Sequence, residues 1–186
     1  MDTNLQSYIK TYKIYDKKFC DQTIQQLLTA EFTKHSYNDT ILNKDTTYDT
    51  DLSVSYSQIP NYEVLAKKIW DGIHQYIVED LKFHWITGWN AYCAPRFNRY
   101  DTGTEMKQHC DHIRTLFDGT HKGIPILSVV GLLNNDYKGG EFIMFDDTEI
   151  HLEVGDLLIF PSNFLYPHKV NMVTEGTRHS FVSWVW

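Results

Sequence analysis

The run Ile126-Leu127-Ser128-Val129-Val130-Gly131-Leu132-Leu133, followed after a polar turn by Gly139-Gly140-Glu141-Phe142-Ile143-Met144-Phe145, decides the fold class of this chain. Both runs are short, apolar, rich in β-branched or aromatic residues and bounded by turn formers, which is how buried strands read. Working outward, the same texture holds across the second half of the sequence. Strands are expected at Trp85 to Tyr92, Arg96 to Tyr100, Gln108 to Ile113, Ile126 to Leu133, Glu141 to Phe145, Ile150 to Leu152, Asp156 to Phe160, His168 to Val173 and Arg178 to Val185.

The first half reads differently. Asp21 precedes Ile24, Leu27 and Leu28 at helical spacing, so a helix is expected from about Asp21 to Phe32. Lys34 to Gln58 is rich in Thr, Asn, Asp, Ser and Tyr, the composition of a long loop or irregular hairpin, and loops of that length often serve as lids. Pro60 and Asn61 open a second helix ending near Asp80, with Tyr62, Leu65, Ile69, Trp70, Ile73 and Ile77 on one face. Helices first and many short strands afterwards make an α+β fold. N-terminal helices over about residues 21–80 are expected to brace a jelly roll, the double-stranded β-helix, over about 84–186. No repeat or linker composition divides the chain, so residues 1–186 read as one domain.

Composition narrows the function classes. At 186 residues and 42% hydrophobic the chain can bury a real core. A net charge of −7, without basic runs, argues against nucleic acid as a partner. No stretch approaches the roughly 20 apolar residues of a membrane span, and the N-terminus lacks a signal peptide's apolar segment. A cytoplasmic protein is expected, its oligomeric state open. Cys20, Cys93 and Cys110 are widely spaced and form no Cys-x-x-Cys pair, so they read as reduced thiols.

The chemistry concentrates in two places. In Gln108-His109-Cys110-Asp111-His112, positions two apart on a strand share a face, so His109 and Asp111 can offer an imidazole nitrogen and a carboxylate oxygen to one ion. His168, from a distant strand, would complete two histidines and a carboxylate, the set that leaves coordination positions open on non-haem iron(II). Hydrolytic zinc sites use similar ligands, so these three leave the metal undecided. Arg178, ten residues after His168 and beyond a turn at Glu175-Gly176, can grip a carboxylate in bidentate fashion. By the same alternation Cys110, His112 and His179 point away from the site, whereas Trp184 shares Arg178's parity and can wall a pocket. Asp146, Asp147 and Glu149 lack calcium-loop spacing and read as a solvated turn.

Over its last hundred residues the chain resembles the 2-oxoglutarate oxygenases of the prolyl 4-hydroxylase type, through five pieces in consistent order. Tyr100-Asp101-Thr102-Gly103 leads into His109-x-Asp111. Ser128-Val129-Val130-Gly131-Leu132-Leu133-Asn134 and then Gly139-Gly140-Glu141 are similar to the family's central strand and Gly-Gly turn. Val154-Gly155-Asp156-Leu157-Leu158-Ile159-Phe160-Pro161 resembles the strand before the distal histidine, and His168 to Arg178, with Val173, Gly176 and Trp184, its closing hairpin. The resemblance implies that His109, Asp111 and His168 bind Fe(II), that Arg178 pairs with the 5-carboxylate of 2-oxoglutarate, and that the Tyr100 and Ser128 hydroxyls help hold that carboxylate. O2 would be the oxidant and ascorbate the reductant.

The implied reaction is hydroxylation of a prolyl residue in a peptide or protein, with 2-oxoglutarate converted to succinate and carbon dioxide. Arg178 stands where collagen-type members carry lysine, and Met106 where an aromatic is usual, departures that bear on the substrate. Two other readings compete: an oxygenase acting on another amino acid, a small metabolite or a nucleobase, and a jelly-roll ligand-binding module without turnover. A binding module has no need of Arg178 at that offset from a metal ligand.

Overall fold

The computed structural model describes residues 4–39, 44–82, 86, 91–111 and 125–186. After a 3-10 turn at Leu5–Tyr8 come β1 (Lys10–Lys13), α1 (Lys17–Leu27), β2 (Thr33–Lys34), β3 (Tyr37–Asp39), β4 (Lys44–Thr46) and β5 (Ser53–Ser55). The helix α2 (Tyr62–His74) runs on through a π-helical turn, Gln75–Asp80. Then follow β6 (Arg96–Asp101), β7 (Met106–His109), β8 (Leu127–Leu132), β9 (Lys138–Gly139), β10 (Phe142–Met144), β11 (Thr148–Glu149), β12 (Asp156–Pro161), β13 (His168–Val170), β14 (Val173–Glu175) and β15 (Thr177–Val185).

The strands build a seven-stranded sheet in the order β1-β12-β8-β15-β6-β5-β2 and a four-stranded sheet in the order β11-β10-β13-β7, all neighbours antiparallel. Alternation divides the large sheet's side chains between two cores. Phe97, Val129, Leu157, Ile159 and Phe181 face the helices, meeting Cys20 and Leu27 of α1 and Leu65, Ile69 and Ile73 of α2. Tyr100, Val130, Leu158 and Phe160 face inward and meet Met106, Phe142, Met144 and Val170 of the small sheet. The result is the double-stranded β-helix braced by helices that the order of elements predicts. The approach is closest where Phe181 lies opposite Gly131: a Cβ at Gly131 would stand 2.1 Å from the Phe181 ring, so only glycine fits. No described helix is long and apolar enough to cross a membrane.

Several boundaries differ from expectation. The first helix starts four residues early because Asp16, not Asp21, caps it, its Oδ1 accepting from the Phe19 backbone N–H at 2.7 Å. Trp70 lies at the margin of its helix's buried face, 42% exposed, against Tyr92. β1 was not expected; its mixed Lys-Thr-Tyr-Lys composition gives no apolar run, and it is an edge strand paired to β12. Over the described residues of Lys34 to Gln58 the hairpin alternative holds, as β3–β4, and β5 is added, joining the large sheet beside β6. The strand expected at Ile150 to Leu152 is instead the two-residue β11, just before it. His168 to Val173 is two strands: β13 stays in the small sheet, while β14 leaves it to pair with β9. Of the strand expected from Trp85 to Tyr92, residues 85 and 87–90 lie outside the described residues, as do His112 and Ile113, and Tyr92 forms a single bridge to Val185.

Candidate metal and co-substrate site

β7 ends on His109 and β13 begins on His168, and the register sets the two directly opposite one another, ring centroids 4.4 Å apart. β7 stops before Asp111, which reaches the same place from the segment just beyond the strand. Its Oδ1 stands 3.6 Å from His109 Nε2 and 3.9 Å from His168 Nε2, and one ligand atom from each of the three residues lies within 4.8 Å of the others. Cys110, between them, is turned the opposite way, its Sγ–H donating to the Phe164 carbonyl at 3.6 Å.

The second ring nitrogens prepare this triangle for a cation. His109 Nδ1 lies 2.8 Å from the Lys107 carbonyl and His168 Nδ1 3.1 Å from that of Tyr166. Both carbonyls can only accept, so each Nδ1 carries the proton and each Nε2 offers its lone pair. His168 is buried between Phe142, whose ring stacks on it at 5.4 Å, and Phe160 at 5.0 Å. Burial lowers its pKa despite the opposing pull of Asp111, which favours the neutral ligand form. For Asp111 burial works upward, but the two imidazoles beside it and the Ser128 hydroxyl outweigh it and hold the carboxyl ionised, well below the usual range. Two neutral imidazoles and one carboxylate, converging and already oriented, fit a divalent metal ion.

Ser128, on the inner face of β8, donates its hydroxyl to Asp111 Oδ2. That bond directs it to the Asp111 carboxylate. Arg178, buried on the inner face of β15 and paired in register with Tyr100, lines the same cleft as the three residues of the triangle. Its Nη1 donates to Ser180 Oγ at 2.9 Å, its Nε is buried without a partner among the described residues, and its guanidinium carbon lies 5.1 Å from the Tyr100 ring centroid. No described carboxylate pairs with it. Gly140 makes room for this side chain: at φ +68°, a Cβ there would meet Arg178 Cδ and Val173 Cγ2, each at 3.0 Å. Tyr100 is fully enclosed; burial raises its pKa against the lowering influence of Arg178 and Arg96, so the phenol stays protonated and can donate.

All six residues singled out in the sequence thus lie in or beside one cleft. Trp184 lines it as its parity implies, and His179 faces away. The reading of the sequence passed over Arg96, Asn98 and Ser180, which also line it. Their signal was the same alternation, since Arg96 and Asn98 share the parity of Tyr100 on β6 and Ser180 that of Arg178 on β15.

Residues 95–186 match the family described as the 2OG-Fe(II) oxygenase superfamily, and the chain belongs to that superfamily. A PKHD-type hydroxylase of Psychrobacter sp. (strain PRwf-1) is 32% identical over 134 residues, covering 69% of this chain and 49% of its own. The chain therefore spans about half the length of that relative. Among solved structures, a prolyl hydroxylase from Trichoplax adhaerens, in complex with a hypoxia inducible factor oxygen degradation domain peptide fragment, superposes with a TM-score of 0.70 at 14% identity, over 97% of this chain and 84% of that one. A Pseudomonas putida prolyl-4-hydroxylase gives a TM-score of 0.65 at 17% identity, over 96% and 91% of the two chains. These two likenesses are of fold.

Proposed function

We propose that this chain is an Fe(II)- and 2-oxoglutarate-dependent dioxygenase that hydroxylates a prolyl residue in a peptide or protein. The observation that carries the reading is one cleft lined both by the preorganised His109, Asp111 and His168 triangle and by the buried Arg178, which has no carboxylate partner among the described residues. A dicarboxylate co-substrate suits that arrangement, because one carboxylate can reach a metal while the other neutralises the guanidinium.

His109, Asp111 and His168 would hold the iron through two Nε2 atoms and Oδ1. Arg178 would bind the distal carboxylate of 2-oxoglutarate with the Tyr100 hydroxyl as a second donor, while Ser128 fixes the Asp111 carboxylate in place. Bound iron(II), with 2-oxoglutarate and O2, supplies the oxidising power to insert oxygen into an unactivated C–H bond, releasing succinate and carbon dioxide. The protein's contribution is orientation and exclusion of water: Phe142, Phe160 and Val170 enclose the metal end, and Trp184 walls the opening. The Tyr37 hydroxyl donates to Met106 Sδ at 2.9 Å and Lys107 Nζ lies 3.8 Å from the Tyr48 ring, so the segment around the β3–β4 hairpin is seated on the strand that ends in His109. That segment is placed to cover an extended substrate. The prolyl substrate itself rests on the sequence resemblance and on the names of the structural neighbours.

Purified protein incubated with iron(II), ascorbate and 2-oxoglutarate is expected to form succinate, followed by NMR, and to add one oxygen to proline-containing peptides, read by mass spectrometry. No succinate with any peptide, together with no metal-dependent binding of 2-oxoglutarate, would refute the enzyme reading. Oxygen placed only on residues other than proline would refute the substrate.

A further inference from the structure

Arg96 opens β6 on the inner face shared with Asn98 and Tyr100, and it lines the cleft alongside His109, Asp111 and His168. It is only 9% exposed, yet no described carboxylate pairs with it. Its Nε donates to Asn98 Oδ1 at 3.1 Å, which leaves its terminal nitrogens without an acceptor among the described residues. Its guanidinium carbon rests 5.1 Å from the Trp184 ring centroid, and the indole Nε1–H of Trp184 is buried without an acceptor among the described residues. A cation tip with no described acceptor, beside a buried donor with none, is a pair of groups that an anionic ligand entering the cleft would satisfy.

Charge says what kind of ligand. Among the described residues lining the cleft, the formally charged groups are Arg96, Arg178 and Asp111, with His109 and His168 neutral as ligands. A divalent metal and a dianionic 2-oxoglutarate cancel one another. Arg178 and Asp111 then balance, and the positive charge of Arg96 is left over. One further negative charge closes the account, which suits a carboxylate better than a doubly charged phosphate.

We infer that Arg96, with the Trp184 indole N–H beside it, is a substrate subsite for a carboxylate, so the substrate presents an anionic group close to the carbon that is hydroxylated. The inference rests on the oxygenase reading of the cleft and adds the chemical character of its substrate. On a peptide the carboxylate comes from a C-terminal proline or from an acidic side chain next to the proline. Asn98 positions the Arg96 fork by holding its Nε, and Trp184 supplies a flat surface for it to rest on.

The test is calorimetric and needs no turnover. The protein is loaded with Mn(II) and saturating 2-oxoglutarate under nitrogen, then titrated with N-acetyl-Gly-Pro as the free acid, its neutral amide, N-acetyl-Gly-Pro-Asp amide, and N-acetyl-Gly-Ala as the free acid. At least one acidic proline probe is expected to bind about ten- to a hundredfold more tightly than the neutral amide, the worth of a charge-assisted hydrogen bond or two. Which acidic probe gains identifies the source of the carboxylate. Arg96→Met should erase the preference while leaving 2-oxoglutarate affinity within about twofold, and Arg96→Lys should keep part of it. Equal binding of acidic and neutral probes by the unaltered protein, or no binding of any acidic probe, overturns the inference without reference to a variant. So does an Arg96→Met protein that loses 2-oxoglutarate affinity tenfold or more, since Arg96 would then be a co-substrate anchor. If the alanine acid binds as well as the proline acid and both depend on Arg96, the subsite stands and the prolyl reading falls.

Discussion

The Asp111 carboxylate is divided between two tasks: Oδ1 faces the Nε2 atoms of His109 and His168, and Oδ2 accepts the hydroxyl of Ser128. Groups that orient a metal ligand typically contribute 10- to 100-fold in metal affinity. Ser128→Ala is therefore expected to weaken Fe(II) or Mn(II) binding by about that factor, with 2-oxoglutarate affinity at saturating metal nearly unchanged. Metal titration followed by calorimetry distinguishes this from a direct role in holding 2-oxoglutarate, which would give the opposite pattern.

Arg178 is buried with no described carboxylate to pair with, so its replacement by an apolar chain of similar length removes a desolvation cost. Arg178→Met should leave thermal stability without co-substrate unchanged or higher. It should also weaken 2-oxoglutarate binding by roughly 100-fold or more, the worth of a bidentate charged pair. A destabilised variant that still binds 2-oxoglutarate normally would refute both halves.

The shaft of Arg178 passes close to Gly140. Gly140→Ala combines a positive φ with contacts at 3.0 Å to Arg178 Cδ and Val173 Cγ2. A cost of about 1–2 kcal/mol in unfolding free energy is expected from the backbone. A severalfold loss of 2-oxoglutarate affinity at unchanged metal affinity should accompany it, measured by urea unfolding and calorimetry. An unaltered co-substrate affinity would mean that Arg178 is not held by this contact.

His35 gives a pH signature outside the proposed metal triangle. Its ring packs edge-on against Tyr37 with Nδ1 buried and unpartnered among the described residues; burial first, then the nearby Arg96 and His109, push its pKa down to about 4. Because the unfolded chain takes up the proton near pH 6.5 and the folded one only near 4, stability falls as pH drops through that window and levels off below it. Relative to His35→Gln, the unaltered protein should lose of order 1–2 kcal/mol between pH 7 and pH 4.5, after discounting for the solvent that reaches the ring. Parallel urea melts at the two pH values measure it, and equal losses in both proteins would refute the assignment.

The core strands were legible because they are buried on both faces, as the largely apolar runs at Leu127–Leu132 and Asp156–Pro161 show. β1 was not, and the β3–β4 hairpin was legible only as a loop or irregular hairpin, since such strands rest on backbone pairing and their side chains carry little pattern. Within the site, alternation placed Arg178 and Trp184 together without any structure. It also paired Asp111 with His109, although β7 ends at His109 and Asp111 arrives from the segment beyond it; it could not show that the Ser128 hydroxyl turns to Asp111, because that depends on how two sheets meet. Arg96 carried the right parity, but nothing local distinguishes a strand arginine aimed inward from one snorkelling to water.

The direct pairing of His168 with His109 across β13 and β7 also makes the site part of the protein's mechanical construction. An ion gripped by both strand ends is a cross-link between segments far apart in sequence, and it exists only in the folded state. Folding and metal capture then form one linked equilibrium, in which metal at about 100 times its dissociation constant adds about 2.7 kcal/mol to stability. On the proposed metal reading, a chelator would therefore soften the jelly roll first where β7 and β13 meet.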